Sequence, residues 1–171
     1  MKTQSDILKI QGKFRIFKEG KLIAESPNVV TKAAKDAILR ALGQVSGGGD
    51  EVGSSFYIQH IAYGKQLAIP PSPDTWFNAA LTSIGTVTGD SNVATPPVAI
   101  VAGPTSASVT CEADYTNGSG STVELDFMAA INTTGSYIAS NVLAVSGLGS
   151  SIFVLNGETI TIQYQMIFLY T

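Results

Sequence analysis

The last stretch of the chain, residues 158–170, limits the possible folds more than any other. Every second side chain in it is apolar: Ile160, Ile162, Tyr164, Met166, Phe168 and Tyr170. This strict period of two, with Thr and Gln between, indicates a β-strand that buries one face. At roughly 3.3 Å per residue the strand would be about 40 Å long, and it therefore needs partner strands along its whole length.

The end of this strand predicts contact with another chain. Ile167 and Leu169 make its second face apolar, and Tyr170 follows them. A strand that is apolar on both faces needs cover on both. We therefore predict self-association through Ile167, Leu169 and Tyr170, with cover by other parts of the same fold as the alternative.

The composition favours a β-rich domain with few charges. Only 13% of the 171 residues are Asp, Glu, Lys or Arg, about half the usual share. A surface that is covered in an assembly tolerates few charges, because fewer then have to be desolvated; simple chance is the alternative. The length suits one domain. We predict an N-terminal arm over residues 1–6 and a single β-sandwich domain over residues 7–171.

Basic and acidic residues are separated along the chain. All ten Lys and Arg lie in the first 65 residues, which carry a balance of +4, and the remainder carries −7. The strand predicted over residues 7–17 has its basic side chains opposite the apolar ones, and a tight turn over residues 18–21 closes a hairpin. Such a division orients a molecule on an acidic surface or against its own copies. The alternative is that these charges are solvated.

One helix is predicted, over residues 29–42. Its apolar residues recur at helical spacing, Asn28 or Thr31 is the candidate cap, and Gly43 follows the last turn. We expect its apolar stripe to pack on a sheet.

The clearest hairpin is predicted in the second half of the chain. Residues 108–115 and 123–127 alternate, and a Gly- and Ser-rich turn separates them. Residues 137–145 and 152–155 add two strands. Roughly eight to ten short, mostly antiparallel strands with one helix predict a mainly β fold, an antiparallel β-sandwich or jelly roll.

The predicted hairpin would place four carboxylates on its outer face: Glu112, Asp114, Glu124 and Asp126. Paired across the strands they would bind a hard cation such as Ca²⁺, and without one they would repel each other. The interpretation that we favour has them point to solvent or meet a basic patch on another chain.

No catalytic, cofactor or metal site is predicted. The chain has one His, His60, and one Cys, Cys111, far apart in sequence, so the usual sets of acid, base and nucleophile are missing. Cys111 lies on the apolar side of its strand, which indicates a buried thiol. Nucleic acid is not an expected partner of this acidic chain. The uncharged residues 127–157 are broken by Gly, Ser and Asn, so no membrane span is predicted.

The order of features along the chain can be compared with that of known families. A hairpin precedes Asn28-Val-Val-Thr31, which opens the helix, and Ile-Gln-His-Ile-Ala-Tyr-Gly follows at residues 58–64. A Pro- and Ser-rich stretch then leads to Asp74, and the strand over residues 160–170 closes the chain. This order resembles small structural proteins of tailed bacteriophages, which include capsid cement (decoration) proteins and tail or fibre-attachment proteins.

The resemblance implies a virion component. For cement proteins it implies a homotrimer with a β-sandwich or jelly-roll body, made in the host cytoplasm and bound to the major capsid protein on the capsid exterior. The residues expected to contact the capsid are Lys9, Lys13, Arg15, Lys18 and Lys21. A tail or neck connector is the alternative from the same particle.

A carbohydrate-binding β-sandwich is the alternative from another class. Trp76, Tyr57 or Tyr63 would then form the platform on which a sugar ring stacks. An enzyme is the least favoured interpretation.

Overall fold

The computed structural model describes residues 8–43, 58–66, 80–94, 99–132 and 137–170. Within these ranges the chain forms ten strands and two α-helices. In chain order they are β1 (Leu8–Lys18), β2 (Lys21–Pro27), β3 (Val29–Val30), α1 (Lys32–Gly43), β4 (His60–Gln66), α2 (Leu81–Ile84), β5 (Gly85–Asn92), β6 (Ala99–Ala102), β7 (Ser106–Thr116), β8 (Val123–Ile131), β9 (Val142–Val154) and β10 (Thr159–Tyr170). The arm predicted over residues 1–6 lies outside the described residues.

The strands form two five-stranded sheets that pack face to face. Sheet A has the order β2-β1-β10-β7-β6 and sheet B the order β3-β9-β8-β4-β5. All pairings between these strands are antiparallel. Tyr63 of β4 and Tyr115 of β7 stack across the two sheets with ring centroids 4.3 Å apart. The predicted mainly β, antiparallel β-sandwich is confirmed.

β10 lies at the centre of sheet A. It pairs with β1 on one side and with β7 on the other along almost its whole length. Its inward side chains are buried, and the Tyr164 ring packs 4.9 Å from the Phe14 ring of β1. The predicted need for partner strands on both sides is therefore met within one chain. The thiol of Cys111, opposite Tyr164 on β7, is buried as predicted.

The two sheets differ in how their outer faces are covered. Successive residues are buried over residues 60–64 of β4, 127–131 of β8 and 142–146 of β9, so this part of sheet B is covered on both faces. Leu81 and Ile84 of α2 cover one part of its outer face, and Ala34 of α1 packs against Leu143. Burial in β1 and β10 of sheet A alternates instead, with inward residues buried and outward residues partly exposed. Sheet A therefore leaves one face open.

The helix begins later than predicted. Val29 and Val30 pair with β9 as the short strand β3, and α1 starts at Lys32. The Thr31 hydroxyl oxygen accepts a hydrogen bond from the Ala34 amide at 3.3 Å, so Thr31 is the cap. Two consecutive β-branched residues favour a strand over a helix start. Asn28, the other cap candidate, lies beside Gly12 and Tyr164 instead.

The Thr31 hydroxyl also joins the helix to sheet B. We therefore expect removal of this hydroxyl to destabilise the protein measurably. It donates to the Val142 carbonyl oxygen while it caps the helix. Thr31→Val keeps the buried shape but loses both bonds, and we expect it to lower the free energy of unfolding by about 1–2 kcal/mol. Thr31→Ser keeps the hydroxyl and is the control. Equal losses in urea unfolding for the two variants would contradict this role.

The first predicted hairpin is confirmed and the second is wrong. Glu19 and Gly20 have φ of 51° and 75°, and they turn β1 directly into its partner β2. β7 and β8, predicted to pair with each other, lie in different sheets. Their connection crosses the sandwich because Asn117 holds it against the end of β9. Its side-chain Nδ2 donates to the Val154 carbonyl oxygen at 2.8 Å.

One long strand replaces two predicted ones. Residues 137–145 and 152–155 were separated in sequence by Ser and Gly, which are poor strand formers. β9 nevertheless runs without interruption over Val142–Val154, and its pairing with β8 shifts register on the way. The irregular register accommodates the small residues inside a continuous strand.

Candidate functional site

The open face of sheet A collects most of the residues that the sequence marks as functional. We call it the sheet A face, and it is formed by outward side chains of β1, β10 and β7 with the adjoining Glu25. In pairing order its members include Lys9, Gln11, Lys13, Arg15, Glu25, Gln163, Gln165, Ile167, Leu169, Glu112 and Asp114. Basic residues lie on β1, neutral ones on β10 and acidic ones on β7.

The basic residues on β1 are partly neutralised by the neighbouring strand. Glu25 Oε2 lies 2.7 Å from Arg15 Nε and 3.1 Å from Lys13 Nζ. The Arg15 guanidinium, and then the Lys13 ammonium, hold the pKa of the Glu25 carboxyl below its ordinary value. No ionic partner of Lys9 lies among the described residues. Two of the five predicted capsid-contact residues therefore share one carboxylate.

Two of the three residues predicted for self-association, Ile167 and Leu169, lie on the same face. Leu169 is directly opposite Lys9 on β1, and Ile167 is directly opposite Gln11. Both side chains are partly exposed. Tyr170 ends β10, and its side chain lies outside the described part of the structure. Three of the predicted capsid-contact residues and two of the predicted self-association residues thus fall on one surface, although they come from opposite ends of the sequence.

The acidic residues of β7 are bonded to neutral neighbours on β10. Gln163 Nε2 donates to Glu112 Oε2 at 2.7 Å, and the Thr161 hydroxyl donates to Asp114 Oδ1 at 2.7 Å. These bonds fix the positions of the carboxylates but leave their charges uncompensated. The charge that the sequence separates along the chain is separated in space across β10.

The other two predicted acids lie on sheet B, away from this face. Glu124 forms an ion pair with Lys65 and accepts a hydrogen bond from the Ser151 hydroxyl at 2.7 Å. Asp126 accepts a hydrogen bond from the backbone N–H of Gln66. Lys65 and then Ser151 lower the pKa of Glu124. In the described parts of the chain no three His, Cys, Asp or Glu side chains are grouped to hold a metal ion. The four-carboxylate cation alternative fails because its hairpin does not form.

A second exposed surface lies where β1 turns into β2 and β9 turns into β10. We call this region the turn end. It comprises Lys18, Lys21, Leu22 and Ile23 at the turn of sheet A, and Phe153 and Leu155 at the turn that leaves β9 of sheet B. Lys18 forms an ion pair with Glu158, whose other carboxylate oxygen accepts a bond from the Leu155 amide at 3.0 Å. Lys18 and then this amide lower the pKa of Glu158. One carboxylate thereby ties the two turns together.

Large apolar side chains are unusually exposed at the turn end. Leu22 is 52% exposed, Phe153 59% and Leu155 55%. Lys21, beside Leu22, has no ionic partner among the residues that the structure describes. Apolar groups next to charged ones are typical of a surface that binds another protein.

The apolar part of the turn end was missed by the sequence analysis. Its signal was present as runs of consecutive apolar residues, Leu22-Ile23 and residues 152–155. Adjacent residues of a strand point to opposite faces, so such a run must expose some of its members when one face is open. The basic residues Lys18 and Lys21 of the same surface were predicted.

The single histidine belongs to a buried cluster on sheet B. His60 Nδ1 lies 3.1 Å from Asp90 Oδ1, and the Tyr137 hydroxyl donates to Asp90 Oδ2 at 2.7 Å. Burial, and then the bond to Asp90, raises the pKa of Tyr137 to about 12. The cluster ties β4 and β5 to the segment before β9.

The structure disfavours the carbohydrate-binding alternative. It describes one of the three residues predicted to stack on a sugar, Tyr63. Tyr63 is buried and stacks on Tyr115 in the core, so it presents no face to a sugar. Burial raises its pKa. Tyr57 and Trp76 lie outside the described residues.

Comparisons of the chain with protein-family models, with curated proteins and with solved structures find no match. None of the helices in the described ranges is long and apolar enough to cross a membrane.

Proposed function

We propose that the protein is a non-enzymatic structural component of a phage particle, a capsid cement protein that binds across neighbouring major capsid subunits. The observation that carries the proposal is the turn end, where Leu22, Ile23, Phe153 and Leu155 are each exposed by more than two fifths. The phage resemblance of the sequence supplies the kind of partner.

The turn end has the chemistry that a protein partner requires. Its apolar side chains would form the buried centre of a contact, and the Lys18–Glu158 pair with Lys21 would form a polar rim. The rim charge that lacks an internal partner is Lys21, which favours an acidic patch on the capsid. Binding would come from buried apolar area, with charge setting orientation and rate of encounter.

Removing the apolar centre is expected to abolish most of the capsid binding. Burying one Leu side chain contributes roughly 1.5–3 kcal/mol, so the pair of substitutions Leu22→Ser and Leu155→Ser should weaken binding at least about tenfold. Both side chains are more than half exposed, and the free protein should therefore keep its melting temperature. The measurement is co-sedimentation with purified heads that lack the protein.

Ile138→Ser is the matched control, because Ile138 is 57% exposed but lies before β9, away from the turn end. It should bind heads like the unchanged protein. Binding of the double variant at the control level would overturn the role of the turn end. If the unchanged protein does not bind heads, or if its copy number per particle fits one ring rather than the capsid lattice, the protein is a tail connector and not a cement protein.

A further inference from the structure

The sheet A face carries no net charge, yet its charges are separated. It contains three cations, Lys9, Lys13 and Arg15, and three acids, Glu25, Glu112 and Asp114. The unbalanced positive charge lies on β1 and the unbalanced negative charge on β7, with β10 between them. Such a surface does not strongly attract a partner that is uniformly acidic or uniformly basic. It does complement a second copy of itself that is rotated by 180°.

We propose that two copies of the chain pair through their sheet A faces, around a two-fold axis that runs along β10. Rotation about this axis places β1 of one copy over β7 of the other and β10 over itself. Arg15 and Glu112 lie in one row across the sheet, on either side of Gln163. Each Arg15 would therefore face Glu112 of the other copy, and the contact would occur twice.

Electrostatics selects this axis over the other two-fold arrangement of the same faces. An axis across the strands would place β1 over β1 and β7 over β7, so that like charges meet on both sides. Like charges in contact disfavour such a pairing. The axis along β10 also brings Ile167 and Leu169 of the two copies together, which covers the apolar end of the strand.

The area of the face is sufficient for a stable pair. The five strands of sheet A have 11, 7, 12, 11 and 4 residues, and at roughly 3.3 Å per residue and 4.8 Å between strands they give an outer surface on the order of 700 Å². Stable interfaces bury about 800 Å² on each partner. Sheets that pack face to face lie about 10 Å apart, which suits side chains of the size of Gln163 and Ile167.

Single charge reversals test the pairing. Glu112→Lys places like charges against each other at both contacts, and Arg15→Glu does the same with the opposite sign. Each variant is expected to raise the dissociation constant of the pair at least about tenfold in sedimentation at low salt. An equimolar mixture of the two variants should restore the pair, because each reversed side chain then faces a reversed partner.

Glu19→Lys is the control for Glu112→Lys, since it changes the net charge equally at the exposed turn between β1 and β2. It should pair normally. A wild-type protein that stays monomeric at millimolar concentration, or that sediments as the trimer implied by the phage resemblance, would overturn the two-fold pair. So would a mixture that fails to restore it while both variants keep the melting temperature of the control.

A cross-link provides a readout that does not depend on charge variants folding. Gln165 lies near the middle of β10 and therefore close to the axis, so Gln165→Cys would place a thiol there. A bismaleimide that spans about 10 Å, the distance between packed sheets, should link two such chains rapidly. Ser119→Cys, exposed on the loop after β7, should not be linked. Equal linking of the two variants would contradict the pairing, which stands or falls independently of capsid binding.

Discussion

Replacing Gly64 by alanine is expected to lower the free energy of unfolding by at least ~3 kcal/mol, the upper end of the usual penalty for overpacking. A Cβ at this position would lie 2.2 Å from the Thr86 carbonyl oxygen and 2.8 Å from the Phe127 ring. Neither neighbour can move easily, since one is backbone of the paired strand β5 and the other is fully buried. Relief would require the strands to separate.

Gly89→Ala is the matched control, because Gly89 lies on β5 directly opposite Tyr63 of β4. A Cβ there would meet the Tyr63 side chain at 3.4 Å or more, an ordinary contact. We expect this variant to stay within about 0.5 kcal/mol of the unchanged protein in urea unfolding. If Gly64→Ala unfolded at the same urea concentration as Gly89→Ala, the close approach of β4, β5 and Phe127 would not be a requirement of the fold.

The role of Gly64 shows what a sequence pattern leaves out. The sequence marks it only as the end of an apolar run, whereas β4 continues past it to Gln66. The pairing of β4 with β5 shifts register between Tyr63 and Gly64. The requirement for glycine arises from the Thr86 carbonyl group and the Phe127 ring, both of which are distant from Gly64 in sequence. Such non-local packing has no signature in the local periodicity.

Elements with a local signature were predicted well. The alternation in β10 and β1 is set by burial of one face, and burial acts on each residue separately. The tight turn between β1 and β2 requires left-handed backbone at Glu19 and Gly20, which Gly favours. The pairing of the strands could not be predicted in the same way. β7 and β8 both alternate, yet they pair with different strands in different sheets.

Most charged residues of the sheet A face could be predicted from the sequence, but their arrangement could not. Lys9 and Leu169 are opposite each other only because β1 pairs with β10. That register joins the two ends of the sequence, and it turns two separate predictions into one face. The sharing of Glu25 between Lys13 and Arg15 likewise depends on the pairing of β1 with β2.

The two surfaces also separate the two proposals in space. The turn end lies at the ends of the strands, whereas the sheet A face lies along their length. In a pair formed through the sheet A face, Leu22 would border the contact, because it lies opposite Phe17 in the row of Thr161 and Asp114. Phe153 and Leu155 would stay free in both copies, and one pair would present two capsid-binding surfaces. Two such surfaces joined in one pair increase the avidity for a repeating lattice without any new contact.

The crossing from sheet A to sheet B depends on Asn117, and Asn117→Asp is expected to be the second most damaging change. Asn117 is fully buried. Its Nδ2 donates to the Ser121 and Val154 carbonyl oxygens at 2.7 and 2.8 Å, and its Oδ1 accepts from the Ser119 amide at 3.0 Å. An aspartate there would direct a carboxylate oxygen at two carbonyl oxygens. Lost bonds and a buried unpaired charge together should cost about 3–5 kcal/mol at neutral pH.

The loss should depend on pH in a defined direction. Burial and the facing carbonyl groups raise the pKa of the introduced carboxyl in the folded state, so folding favours its protonated form. The destabilisation therefore grows as pH rises through the unfolded pKa of about 3.9, and it levels off above the folded pKa. Asn156→Asp is the control, because Asn156 is exposed and only its Oδ1 accepts a bond, from the Gly120 amide. Urea unfolding of both variants at pH 4 and pH 7 should separate them at pH 7 more than at pH 4, and an equal, pH-independent effect would show that the Asn117 amide does not hold the crossing.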